Sequence, residues 1–217
     1  MLTYAIGDVH GCLGKLARLI DGCLQHGGNE PARFVFIGDY VDRGPHSREV
    51  VELLMQAQRE RPGEVVCLRG NHEAIMLEAV HTGDDRLWLV NGASYTYASY
   101  GIEQATDMPA AHVAWVAALP LSFDDGRRYF VHAGIDPNVP LDAQTERARL
   151  WIREPFLSST RDHGRLIVHG HTPSATGLPD VRPNRVNIDT GAVYGGPLTA
   201  AVFSDEATAP IEFLSSE

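Results

Sequence analysis

The sequence predicts an α/β fold, on three observations made along its 217 residues. Short apolar runs alternate with helical patterns over the first seventy residues. The middle of the chain combines helical spacing with many aromatic residues, and the last third is rich in short, strand-length apolar runs. The length suits one α/β domain and no long linker interrupts it. A single domain over residues 1–217 is therefore expected.

Two strand–helix–strand units account for the first third of the chain. The apolar run at 2–6 predicts a short buried strand, and the apolar stripe at 13–24 predicts a helix. The same alternation predicts strands at 2–6, 33–37 and 64–68, and helices at 13–24, 50–55 and 73–80. Consecutive units of this kind have right-handed crossovers, so the three strands should form a parallel sheet.

The middle third predicts a helical insertion at about 84–119, with helices at 87–101 and 109–119. Its aromatic residues are expected to form the core of this insertion, with a base-stacking or peptide-binding surface as the alternative: Trp88, Tyr95, Tyr97 and Tyr100. The last third predicts strands at 129–131, 166–168, 185–188, 198–203 and 211–214. Asp124, Asp125 and Gly126 indicate a hairpin turn before the first of them.

The charge of the chain disfavours some classes of partner. A formal net charge of −10 repels nucleic-acid backbones and anionic lipids, so neither nucleic acid nor a membrane is an expected partner. The first apolar run is too short for a signal peptide or a spanning helix. Three cysteines without a CxxC pair argue against a disulfide framework, and we expect a cytoplasmic protein.

Polar segments bracketed by glycine follow five of the predicted strands. Parallel strands present their carboxyl ends at one edge of a sheet, so the segments after the first three strands should meet in one crevice. They carry carboxylate, imidazole and amide side chains: Asp8, His10, Asp39, Asn71, His132 and His171. This donor set contains no thiolate and suits Mn²⁺, Fe or Zn²⁺ better than Mg²⁺ or Ca²⁺. Two divalent ions with two aspartates would leave about two positive charges for a phosphoryl group.

Five motifs resemble those of the calcineurin-like metallophosphoesterases, in the branch of the Ser/Thr protein phosphatases. They are GDVHG, GDYVDRG, GNHE, HAG and GHT, in that family's order between residues 7 and 172. Within the branch, the small bacterial and phage-type phosphatases and the symmetrical diadenosine tetraphosphatases are most similar. Pro173 stands where nuclease branches often have a further histidine. The resemblance implies an α/β/β/α architecture, a central β-sandwich flanked by helices.

The resemblance also implies roles for matching residues. Asp8 and His10 would bind one metal, Asp39 would bridge, and Asn71, His132 and His171 would bind a second, with Mn²⁺ favoured and Fe or Zn²⁺ as alternatives. His72 would be the general acid, paired with Asp42. Arg43 would clamp the phosphate, and Arg153 resembles a second clamp, with a surface salt bridge to Glu146 or Glu154 as the alternative.

The resulting prediction is a metal-dependent phosphoesterase. A hydroxide bridging two metals would attack phosphorus directly, without a covalent phospho-enzyme. The expected substrates are phosphomonoesters, foremost phosphorylated Ser or Thr in proteins, with phosphotyrosine also considered. The alternative is a small phosphoester, the dinucleoside polyphosphate of a symmetrical bis(5'-nucleosyl)-tetraphosphatase. A non-catalytic binding module and a nuclease are the other hypotheses, and the complete ligand set and Pro173 respectively disfavour them.

Overall fold

The computed structural model describes residues 1–217, which form ten strands and seven α-helices. The strands are β1 (Leu2–Ile6), β2 (Ala32–Phe36), β3 (Val65–Cys67), β4 (Ser122–Asp124), β5 (Arg128–Val131), β6 (Leu166–His169), β7 (Asp180–Val181), β8 (Arg185–Asn187), β9 (Thr199–Ser204) and β10 (Glu212–Ser215). The helices are α1 (Leu13–Gly27), α2 (Ser47–Glu60), α3 (Asn71–Thr82), α4 (Arg86–Val90), α5 (Ala93–Tyr100), α6 (Ala110–Ala118) and α7 (Glu146–Trp151). No helix is both long enough and apolar enough to cross a membrane.

The strands form two five-stranded sheets. The first sheet has the order β10-β9-β1-β2-β3, with β1, β2 and β3 parallel as predicted and β9 antiparallel to β1. The second sheet has the order β4-β5-β6-β8-β7, with β5, β6 and β8 parallel and antiparallel strands at both edges. Strand β4 and the turn after it complete the predicted hairpin at Asp124–Gly126.

The two sheets pack face to face and are flanked by helices, which confirms the predicted α/β/β/α architecture. Side chains alternate between the faces of a strand. In β1, Ala5 joins the core between the sheets, together with Phe130 and Val186 of the second sheet. Tyr4 and Ile6 point the other way, into the larger core beneath the helices. Both faces of β1 are therefore buried, as its apolar run indicated.

The insertion differs from its prediction in two respects. Residues 87–101 form two helices rather than one, because Gly92 interrupts them with φ 105°. Trp88, Tyr97 and Tyr100 are buried as expected, but Tyr95 is 53% exposed, and its assignment to the core was wrong. The short strands β4 and β7 and helix α7 were not predicted, since each is too brief to show a clear period.

Candidate dimetal site

The six residues predicted to bind metals meet at one edge of the two sheets. Four lie in or just after the loops that follow β1, β2 and β3, and two follow β5 and β6, so that the carboxyl ends of five strands converge. All six are at most 8% exposed: Asp8, His10, Asp39, Asn71, His132 and His171. We refer to these residues as the candidate dimetal site.

Asp39 lies at the centre of two groups of donor atoms. In the first group, the donor atoms of His10, Asp39 and His72 all lie within 4.8 Å of one another, and in the second group those of Asp39, His132 and His171 do. Asn71 belongs with the second group, because its Oδ1 is 2.8 Å from His132 Nε2 and 2.9 Å from His171 Nδ1. One carboxylate shared by two donor groups is the arrangement that two neighbouring cations need.

The protonation pattern of these donors fits a cation. His132 Nδ1 lies 3.0 Å from the carbonyl oxygen of Ile37, so it carries the proton, and Nε2 presents a lone pair. That lone pair faces two further acceptors, Asn71 Oδ1 at 2.8 Å and Asp39 Oδ1 at 3.4 Å. Burial lowers the pKa of His132, which opposes a proton in this position. Three converging acceptors are therefore best satisfied by a metal ion.

The other half of the site has comparable donor atoms, and here Arg43 Nη1 also lies within hydrogen-bond distance of His10 Nε2, at 2.7 Å. His10 Nδ1 donates to the Val41 carbonyl at 2.8 Å, which leaves Nε2 as an acceptor 3.4 Å from Asp39 Oδ2. Burial lowers the pKa of His10 to about 3, so its imidazole is neutral. Asp8 accepts from the backbone N–H of His171 at 3.1 Å, and its pKa is raised by burial, by Asp189 and by Asp39. Buried carboxylates that repel each other gain from a shared cation.

Backbone strain is concentrated in this region. Five residues other than glycine have positive φ, and all five are predicted site residues: His10 (44°), Asp39 (55°), Asp42 (73°), Arg43 (69°) and His171 (66°). Such a conformation is unfavourable for residues with a side chain and persists only where the surrounding structure enforces it. Strain of this kind is typical of functional sites.

His72, a member of the first donor group, forms the predicted acid pair with Asp42. His72 Nδ1 is 2.7 Å from Asp42 Oδ2, and His72 Nε2 lies 4.0 Å from Asp39 Oδ2. Both members of the pair are essentially inaccessible to solvent. Burial raises the pKa of Asp42, and hydrogen bonds from His72, Thr96 and Trp88 oppose that rise. The imidazole is thus oriented by Asp42 with its other nitrogen toward the metal site.

The two predicted clamp arginines flank opposite donor groups. Arg43 Nη1 lies 2.7 Å from His10 Nε2, and its guanidinium is 5.8 Å from the ring centre of the exposed Tyr194. Arg153 lines a groove of about 380 Å³ together with Trp151, whose ring centre is 6.2 Å from that of His171. Arg153 forms no salt bridge with either neighbouring glutamate, so the structure does not support that alternative.

Three buried residues that contact the site were not predicted to belong to it. The carboxylate of Glu73 accepts hydrogen bonds from the backbone N–H groups of Asp39, Tyr40, Val41 and Gly70, and so orients the Asp39 loop. Its position three residues after Gly70, where a glutamate can accept from the backbone N–H of the residue that precedes the helix, was the available sequence signal. Trp88 and Thr96 of the insertion bind Asp42, and no local pattern indicates this.

Known proteins share this fold and sequence. The calcineurin-like phosphoesterase family model matches residues 1–203. The serine/threonine-protein phosphatase 1 of Salmonella typhimurium is 29% identical over 212 residues, covering 92% of this chain and 90% of that protein. An asymmetrical bis(5'-nucleosyl)-tetraphosphatase, PrpE of Halalkalibacterium halodurans, is 30% identical over 238 residues, covering 97% and 91%.

A solved metallophosphoesterase structure from Sphaerobacter thermophilus has the same fold, with a TM-score of 0.60 over 99% of this chain and 90% of that one, at 21% identity. The family match spans nearly the whole chain and includes every strand end that carries a donor. The chain therefore belongs to the calcineurin-like phosphoesterase family.

Proposed function

We propose that this phosphoesterase hydrolyses phosphomonoesters, with phosphorylated serine and threonine in proteins as its substrate class and Mn²⁺ as its metal. One ion would be held by Asp8, His10 and Asp39, and the second by Asp39, Asn71, His132 and His171. The observation that carries the proposal is the Asp39 carboxylate shared by two buried groups of donor atoms, the first of which includes His72 of the histidine–aspartate pair. When bound, two divalent ions supply Lewis acidity, which neutralises phosphoryl charge and acidifies water.

Side chains of the protein would supply the proton and bind the phosphoryl group. Hydrolysis breaks the bond between phosphorus and the ester oxygen, joins the oxygen of water to phosphorus, and requires a proton for the departing alkoxide. His72 Nε2 would supply this proton, because Nδ1 is held by Asp42. Arg43 would bind the phosphoryl oxygens through its planar fork of donors, and Arg153 would assist from the groove beside His171.

Two observations support a protein substrate. The aromatic side chains beside the site are exposed, Trp151 at 41% and Tyr194 at 65%, so they border an open surface rather than an enclosed pocket. A phosphorylated residue on a protein surface can reach such a site. The relative from Salmonella typhimurium is named as a serine/threonine-protein phosphatase.

The same aromatic residues favour a second candidate, hydrolysis of a dinucleoside tetraphosphate. Tyr194 lies beside Arg43, and Trp151 lies beside His171, so a polyphosphate bound at the metals could stack its bases on exposed rings. The relative from Halalkalibacterium halodurans is named as an asymmetrical tetraphosphatase. The motifs in the sequence, by contrast, resembled those of the symmetrical enzymes, which would cleave the tetraphosphate chain at its centre.

A side-by-side assay separates the two candidates. The Mn²⁺-loaded protein should hydrolyse phosphoserine and phosphothreonine peptides with higher kcat/KM than diadenosine tetraphosphate. A phosphotyrosine peptide in the same assay tests whether aryl phosphate esters of proteins are also substrates. Strong preference for the dinucleotide would overturn the protein-phosphatase assignment. Its products would then identify the cleaved bond, since symmetrical cleavage gives two ADP and asymmetrical cleavage gives ATP and AMP.

Variants test the assignment of residues. Asp39→Asn should greatly reduce turnover of p-nitrophenyl phosphate, and His72→Asn should greatly reduce turnover of phenyl phosphate, whose leaving group needs a proton. His81→Asn is the matched control, because His81 lies on the same helix as His72 and is exposed. Activity that survived both site substitutions would contradict the proposed mechanism.

A further inference from the structure

The helical insertion contacts the acid pair directly. Trp88 of α4 and Thr96 of α5 both bind Asp42, from 46 and 54 residues away in sequence. Trp88 is fully buried although it is the largest kind of side chain, and Thr96 is fully buried as well. Neither residue forms a hydrogen bond with the six predicted metal ligands, so their contact with Asp42 needs a separate explanation.

These contacts fix both the carboxylate and the backbone N–H of Asp42. The indole Nε1–H of Trp88 is shared between the two carboxylate oxygens, at 2.8 Å and 2.9 Å. The Thr96 hydroxyl donates to Oδ1 at 2.7 Å and accepts from the backbone N–H of Asp42 at 2.9 Å. With His72 at 2.7 Å, the carboxylate accepts from three donors, and little freedom of rotation is left to it.

The backbone at this point needs such support. Asp42 and Arg43 both have positive φ, which is unfavourable for residues with a side chain. The junction between α4 and α5 packs against them, since the Arg43 N–H donates to the Gly92 carbonyl at 3.3 Å. A Cβ at Gly92 would lie 2.9 Å from Arg43 Cγ, so this close approach requires glycine.

We propose that Trp88 and Thr96 are positioning residues for proton donation, which hold Asp42 so that His72 Nε2 faces the leaving-group oxygen. The insertion thereby takes part in catalysis through Asp42, in addition to any contact with substrate. This inference rests on the proposed role of His72 as general acid. It assigns a catalytic role to a segment whose sequence pattern indicated a helical cap.

The leaving-group dependence of kcat tests this role in the Mn²⁺-loaded enzyme. Phenyl phosphate releases a phenol with a pKa of about 10, like that of tyrosine, and needs proton donation more than p-nitrophenyl phosphate, whose phenol is more acidic. Thr96→Val and Trp88→Phe should lower kcat on phenyl phosphate about 10-fold or more, the scale on which supporting hydrogen bonds affect activity. On p-nitrophenyl phosphate the loss should be under about 3-fold, with KM unchanged.

Two further variants serve as rescue and control. Thr96→Ser keeps the hydroxyl and should restore kcat on phenyl phosphate. Tyr97→Phe removes a hydrogen bond to Asp85 within the same insertion and leaves Asp42 untouched, so it should change neither substrate's kcat. If Trp88→Phe fails to fold, the Thr96 series decides the question. Equal losses on both substrates, or failure of Thr96→Ser to restore kcat, would overturn the proposal.

His72→Asn distinguishes this inference from the proposed function. If it shows no leaving-group dependence, the general-acid role itself is wrong. If it shows the dependence and the Thr96 and Trp88 variants do not, only the positioning role is wrong. In the metal-free protein, the indole N–H signal of Trp88 should exchange slowly with solvent and should shift in Asp42→Asn. Rapid exchange of this proton would contradict the hydrogen bond on which the inference depends.

Discussion

The loops of the first sheet and those of the second sheet meet at the candidate dimetal site, but they bring different donors to it. The first sheet supplies both carboxylates, Asp8 and Asp39, and all of its donors lie within the first 71 residues of the chain. The second sheet supplies two neutral imidazoles, His132 and His171. With the proposed ligands, the first sheet alone would bind one ion, whereas the second ion would depend on how the two sheets pack together.

The largest loss of activity is expected for a substitution of Asp39, the residue shared by the two donor groups. Asp39→Asn removes one of the two charged ligands and the only one common to both donor groups. Turnover of p-nitrophenyl phosphate should fall by more than about 100-fold, beyond the loss seen for supporting groups. Metal analysis of the purified protein should find fewer than two Mn²⁺ per chain. Two tightly bound ions in this variant would contradict the bridging role.

The halves can next be separated by single histidine substitutions. His132→Asn should weaken only the second ion, and His10→Asn only the first, each by at least about 10-fold. Calorimetric titration with Mn²⁺ should then show one site at the original affinity and one weakened site. If either substitution abolished both sites, the two halves would not be independent, and the comparison between the sheets would fail.

A glycine tests the contact between the sheets. A Cβ at Gly170, which follows β6, would collide with the Asp8 carboxylate and lie 2.8 Å from Ile37 Cδ1 in the first sheet. Gly170→Ala should therefore weaken Mn²⁺ binding about 10-fold and lower the free energy of unfolding by about 1–3 kcal/mol. Chemical denaturation and calorimetry measure the two effects.

Gly22→Ala is the matched control for this substitution. A Cβ at Gly22 would meet no atom within 4 Å, and the residue lies inside α1. Alanine in a helix interior should raise the free energy of unfolding by about 0.5–1 kcal/mol and leave metal binding unchanged. Equal behaviour of the two variants would show that Gly170 is not needed for the close approach of the sheets.

The smallest effects are expected at the clamps. Arg43→Ala should raise KM for phosphomonoesters about 10-fold, because a charged hydrogen bond to phosphate contributes about 1.5–3 kcal/mol. Arg153→Ala should raise KM less than about 5-fold, since its groove is open to solvent. Arg147 lines the same groove and provides the control, as Arg147→Ala should leave KM unchanged. A larger increase in KM for Arg153→Ala than for Arg43→Ala would indicate that the phosphate binds mainly in the groove beside His171.

Much of the fold followed from local patterns. Apolar runs and helical stripes located β1, β2, β3 and the helices between them, with ends wrong by a few residues. Helix α2 begins and ends beyond its apolar centre, because its polar first and last turns carry no periodic signal. The six donors were recognisable because each follows a strand in a segment that contains glycine, so that sheet geometry brings most of them together.

The sequence by itself determined the alternation of strands and helices, the donor types and their places at strand ends, because these depend on side-chain chemistry and short-range periodicity. Only the tertiary structure decided which nitrogen of His132 is free, since the Ile37 carbonyl that binds the other nitrogen lies 95 residues away. It also decided that Trp88 and Thr96 hold Asp42. Such contacts join distant segments through hydrogen bonds that leave no periodic trace in sequence, and they become visible only when those segments are packed together.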